Sequence, residues 1–150
     1  IFARYCTFSH TSYLNFSCSV CKKYLLVDAG FHTLARPVLY GSYHPMSLCP
    51  TSTTPPRELE SVAVGGPLCE SGDIFTQEEG GFVSTRDLPP ARVGDFLIIE
   101  VAGAYGFVMA SNYNSKPFPA EILIDSGSSQ LVRARQTADE IFSGEYIPTT

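Results

Sequence analysis

Apolar positions in this chain fall in short runs, and most runs end at glycine, proline or a small polar residue. Tyr24-Leu25-Leu26-Val27, closed by Asp28-Ala29-Gly30, predicts a buried strand that ends in a turn. Glu60 to Val64 predicts a second strand, stopped by Gly65-Gly66-Pro67. Asp95 to Ala102 carries the strongest strand signal, because it is rich in Ile, Val, Leu and Phe. Ile122-Leu123-Ile124 and Leu131-Val132-Arg133 predict two shorter strands around the turn chemistry of Asp125-Ser126-Gly127-Ser128. Residues 49–58 contain Pro50 and the adjacent pair Pro55-Pro56, which cannot sit in a central strand, and predict a surface loop. One helix is expected from about Ala104 to Ser111. A second begins at Thr137, which has the capping-box spacing to Glu140, with Gly144 where the helix would end. Short strands, Gly/Pro turns and few helices together predict a mainly β barrel or sandwich.

Residues 1–21 show no clear period and hold a single charge, Arg4. They are expected to be an atypical segment, with residues 22–150 forming the domain. A chain of 150 residues suits one domain and can bury roughly 70% of its unfolded surface. The net charge of −5 speaks against nucleic acid and anionic membrane as partners, and Lys22-Lys23 is too short for a basic patch. No apolar run approaches the roughly 18 residues of a membrane span. The strongest run, Phe96 to Ala102, contains Glu100. The five cysteines (Cys6, Cys18, Cys21, Cys49, Cys69) are too few for a disulfide scaffold and imply a reducing compartment. Because the chain begins at Ile1, it is expected to be a fragment.

Four constellations could carry chemistry. In Gly66-Pro67-Leu68-Cys69-Glu70-Ser71-Gly72-Asp73, a thiol flanked by glycine turns can exchange a proton, and Glu70 can bind an ammonium group. The same string equally fits a tight turn with a buried thiol and a solvated acid. In Arg36-Pro37-Val38-Leu39-Tyr40, a separation of four places Arg36 and Tyr40 on one side of either a helix or a strand. There a guanidinium fork and a phenol can grip a carboxylate, or a surface arginine's stem can cover apolar surface next to a core tyrosine. Gly103-Ala104-Tyr105-Gly106 offers a phenol able to donate to a phosphate, or a turn around a packed ring. Cys6, His10, Cys18 and Cys21 give a four-ligand count for zinc without a second CxxC, so no metal site is assigned.

The order of these motifs resembles the diaminopimelate decarboxylases. The resemblance runs through Val27-Asp28-Ala29-Gly30, Arg36-Pro37 with Leu39-Tyr40-Gly41 and Tyr43-His44, and the string from Gly66 to Asp73. It continues through Gly103-Ala104-Tyr105-Gly106 with Met109, Ser111-Asn112-Tyr113-Asn114 and Pro117, then Ala120-Glu121-Ile122-Leu123-Ile124 and Leu131-Val132-Arg133. It extends to Arg135-Gln136-Thr137, where the family usually has Glu in place of Gln136. Similarity to this family implies the C-terminal β-domain of an alanine-racemase-like decarboxylase, with one or two short helices. The α/β barrel that binds pyridoxal 5'-phosphate would lie elsewhere, and Lys22, Lys23 and Lys116 do not sit in the family's cofactor-lysine motif.

The resemblance also implies roles. Cys69 would be catalytic and reach the site of a partner subunit in a homodimer. Glu70 would read the ammonium at the distal end of meso-diaminopimelate, and Arg36 and Tyr40 the carboxylate there. Tyr105 would contact both substrate and cofactor phosphate. The fragment would be inactive alone, and the enzyme would reside in the cytoplasm, or in a plastid if from a plant or alga. Two rivals remain open: a related ornithine- or arginine-type decarboxylase domain, and a non-catalytic β binding domain.

Overall fold

The Val-, Ile- and Leu-rich segments pair into two small sheets that share one core, with a separate hairpin beside them. A computed structural model describes residues 2–5 (backbone only), 22–51 and 58–149. The elements, in order, are β1 (Phe2–Tyr5), β2 (Lys23–Leu26), α1 (Arg36–Tyr40), β3 (Met46–Cys49), β4 (Glu60–Gly65), β5 (Arg86–Leu88), β6 (Phe96–Ile99), β7 (Glu121–Asp125), β8 (Ser128–Arg133) and α2 (Ala138–Ile141). One sheet has the order β1-β6-β3 and is antiparallel throughout. The other has the order β2-β4-β5, with β2 parallel and β5 antiparallel to β4.

Both sheets feed the same core. β2, β4 and β5 supply Leu25, Val62, Val64 and Leu88, and β6 supplies Leu97 and Ile99. Turns add Val27, Leu34, Phe75 and Ala102. β6 alternates buried and half-buried positions, as a strand with one covered face must. β4 is central in its sheet and buried without interruption from Val62 to Gly65. Across from it, the Thr76 hydroxyl accepts the N–H of Val64, which meets the hydrogen-bonding need of a fully buried backbone group.

The hairpin β7–β8 turns at Ser126 and Gly127, both with positive φ (47° and 79°), as a tight two-residue hairpin turn requires. Its apolar side chains Ile122, Leu123, Ile124, Leu131 and Val132 are exposed. Arg133, stacked 3.7 Å from the Phe107 ring centroid, ties it to the body.

The main strands and the capping box are as expected: Thr137 Oγ1 accepts from Glu140 N at 3.3 Å, and Glu140 Oε2 accepts from Thr137 N at 2.6 Å. Several local expectations are corrected. Tyr24 is 38% exposed, because β2 is an edge strand. The strand expected over 95–102 shortens to β6, since the Asp95 side chain turns back onto its own loop and Val101 has φ 56°. The helix expected over 104–111 is only one 3₁₀ turn, Phe107–Met109, bracketed by Gly106 and an extended Ala110. The loop begins one residue later than expected, since Cys49 ends β3; residues 52–57 lie outside the described residues. β3 and β5 were not expected. The readings of residues 1–21 as a separate segment, and of Cys6, His10, Cys18 and Cys21 as ligands, fall outside the described residues apart from the backbone of 2–5. Among the described residues, no group of three or more His, Cys, Asp or Glu side chains could hold a metal ion, and no helix is long and apolar enough to cross a membrane.

Candidate active-site face

The Arg36–Tyr40 segment, open to either reading in the sequence, is helical. Pro37 sits in its first turn, where a fixed φ is pre-organised and the missing N–H costs nothing. Gly41 ends it with φ 62°, donating its N–H back to Pro37 O at 2.9 Å. A side chain at Gly41 would collide with the backbone of Glu78 and Glu79, so glycine is needed for space as well as for conformation. One helical turn puts Arg36 and Tyr40 side by side, with the guanidinium carbon 5.2 Å from the Tyr40 ring centroid. The same guanidinium lies 4.8 Å from the Tyr105 ring centroid. The structure thus gathers Arg36, Tyr40 and Tyr105 from segments 65 residues or more apart, with both rings more than half exposed. A half-buried arginine held between two exposed phenols has the chemistry to receive an anion.

Cys69 and Glu70 stand on the neighbouring turn, and both are exposed. Glu70 Oε1 accepts from Ser71 Oγ at 3.3 Å and from Gly72 N at 3.2 Å. Among the described residues, Glu70 and Arg36 do not form an ion pair with each other. The turn abuts α1 at Gly72, where a Cβ would lie 3.2 Å from Val38 Cγ2.

Asp73, which ends the Cys69 motif and drew no role from the sequence, anchors this turn. It is 3% exposed. Oδ1 accepts from Phe31 N and Oδ2 from Leu68 N, each at 2.8 Å, and its carbonyl accepts from Gly66 N at 2.8 Å. Burial raises its carboxyl above the ordinary carboxylate range; the two backbone donors pull it down, and the nearby charge of Glu70 adds to the rise. Gly30 and Gly66 make room: a Cβ at Gly30 would lie 2.9 Å from each carboxylate oxygen, and one at Gly66 would overlap Oδ2. The crowding of glycines at 30, 65 and 66 was the available signal in the sequence, but nothing local pointed to a partner 42 residues away.

The family model for the C-terminal sheet domain of pyridoxal-dependent decarboxylases matches residues 6–103. The diaminopimelate decarboxylase of Escherichia coli strain K12 is 48% identical over 131 residues, which cover 84% of this chain and 30% of that protein. That of Buchnera aphidicola subsp. Acyrthosiphon pisum is 51% identical over 126 residues, covering 83% and 30%. A crystal structure of diaminopimelate decarboxylase superposes with a TM-score of 0.81 at 41% identity, covering 94% of this chain and 32% of that one. The Helicobacter pylori enzyme complexed with L-lysine gives 0.74 at 28% identity, covering 94% and 30%. This chain therefore spans about 30% of the length of the curated relatives it matches, and it belongs to the pyridoxal-dependent decarboxylases, within their C-terminal sheet domain.

Proposed function

We propose that this chain serves a diaminopimelate decarboxylase that converts meso-2,6-diaminopimelate to L-lysine and carbon dioxide. It would present Arg36, Tyr40, Glu70, Cys69 and Tyr105 to a site completed by the cofactor-binding barrel. The observation that carries this reading is the Arg36 guanidinium shared by two exposed phenols beside a turn bearing an exposed thiol and carboxylate. The relatives' names and the lysine bound by the Helicobacter pylori enzyme support the substrate.

The exposed phenol of Tyr105 fits the phosphate of pyridoxal phosphate, so this chain would hold one edge of the cofactor. Lys22, which donates to Val83 O, and Lys23, which pairs with Glu60, are already engaged, in keeping with a cofactor lysine supplied by the barrel. When bound, the cofactor would supply the electron sink for loss of carbon dioxide. Arg36 and Tyr40 grip the distal carboxylate, and Glu70 accepts from the distal ammonium. Together they fix which end of the substrate reacts. Cys69, reaching into a partner subunit's site in a homodimer, holds the proton that replaces the lost carboxylate.

The test exchanges residues 22–149 for the corresponding domain of the Escherichia coli enzyme. The hybrid should form lysine from meso-diaminopimelate and turn over ornithine and arginine at least about 100-fold more slowly. Arg36→Ala should lower its kcat/KM about 100-fold, mainly through KM. A folded, cofactor-loaded hybrid that leaves diaminopimelate intact would overturn the proposal.

A further inference from the structure

We propose that Asp73 is a positioning residue that holds the Cys69–Glu70 turn in register with the segments carrying Arg36 and Tyr105. Its two carboxylate oxygens join two different turns. Oδ2 closes the turn of residues 66–73 through Leu68 N, while Oδ1 holds the turn of residues 30–33 through Phe31 N. The first turn is completed by Glu70 N donating to Leu68 O at 2.8 Å and Asp73 N donating to Glu70 O at 3.1 Å. Cys69 and Glu70 are therefore enclosed by hydrogen bonds that begin and end on Asp73.

The second turn leads, within five residues, into α1 and Arg36. It also holds the segment that follows Tyr105. Phe31 packs on Tyr113 with ring centroids 4.8 Å apart, and His32 O accepts from Ser111 N at 2.8 Å. Two of the strips that carry site residues thus meet at one buried carboxylate, and the third, which follows Tyr105, is held to it through Phe31 and His32. Gly30 and Gly66 leave no room for a side chain beside it, so both turns lie close against the carboxylate. An amide in its place keeps one acceptor but turns an NH2 group toward the second backbone N–H, so one of the two turns is released.

The activity arm of the test rests on the decarboxylase reading above; the first arm does not. In the 150-residue chain, the alkylation rates of Cys69 and Cys49 by iodoacetamide are followed by peptide mass spectrometry. Asp73→Asn should change the Cys69 rate by at least about threefold and leave Cys49 within about 1.5-fold. Asp95→Asn is the control. Asp95 is an equally buried carboxylate that holds Thr51, two residues from Cys49, and its loss should leave Cys69 at the parent rate. Gly30→Ala, which pushes on the same carboxylate, should shift Cys69 as well, and it serves as the test should Asp73→Asn fail to fold. An unchanged Cys69 rate in the folded variants would overturn the inference.

In the hybrid enzyme, Asp73→Asn should lower kcat about tenfold and raise KM as well, and Asp95→Asn should change neither. Equal losses of kcat in both variants would reduce Asp73 to general stability and overturn the inference. A hybrid inactive before mutation would sink the decarboxylase reading, while the alkylation rates still decide on Asp73.

Discussion

Asp73 and Asp95 are each 3% exposed, and each accepts two backbone N–H groups, yet their carboxyls move in opposite directions. Burial opposes ionisation of both. At Asp73 burial prevails, and the negative Glu70 reinforces it. At Asp95 the N–H groups of Thr51 and Arg92, the Thr51 hydroxyl and the Arg92 charge together outweigh burial, so its carboxyl lies below the ordinary range. The flanking glycines differ in kind too. Gly66 is needed for room against the Asp73 carboxylate, whereas Gly94 has open space around it and φ 93°. One carboxylate holds Thr51 and Arg92; the other lies beneath a turn that presents a thiol.

The largest expected effect that separates the two comes from Asp73→Ala. It strands the buried N–H of Leu68 and should cost about 3 kcal/mol in urea unfolding, whereas Asp95→Ala, whose donors lie on exposed residues, should cost about 2 kcal/mol. Gly66→Ala should cost about 2 kcal/mol by overpacking against Asp73 and Ala29 O.

The pH dependence should separate the pair by sign. The folded state holds the Asp95 proton more weakly than the unfolded chain does. Its contribution is therefore full above the ordinary value of 3.8 and lost as pH falls through the folded value. Asp73 holds its proton more tightly when folded, so its contribution is full below 3.8 and declines as pH rises through the folded value. Urea midpoints from about pH 2 to 7 should show the acid-side loss flattened by Asp95→Asn and the loss on the other side flattened by Asp73→Asn. The smallest effect belongs to Gly94→Ala, which should cost about 1 kcal/mol for its left-handed backbone alone. A cost matching that of Gly66→Ala would erase the distinction between room and conformation.

What could be read from residues alone follows the range of the interactions. β4, β6, β7, β8 and the cap of α2 were legible because apolar runs, turn residues and a three-residue capping spacing are local signals. β5 was not, because Arg86-Asp87-Leu88 is short and charged and becomes a strand only by pairing with β4. β3 was hidden in the same way, paired with a β6 partner about 50 residues away. The helix expected after Ala104 failed because flanking glycines and the left-handed Val101 break the chain there. At the site, Arg36 and Tyr40 could be paired by their spacing of four, but their meeting with Tyr105 is tertiary, and so is the hold of Asp73 on Phe31.

The parallel pairing of β2 with β4 has a consequence for how the site comes into being. Lys23 meets Val62 across a long crossover, and α1 lies inside that crossover. A parallel pair cannot zip from a hairpin turn, and its closure carries the entropy of the whole intervening loop. Arg36 and Tyr40 pair locally, but their placement beside Tyr105 should come only after this non-local step of folding. The proposed anion recognition should be among the last properties a newly made chain acquires, and among the first it loses when the edge of that sheet opens.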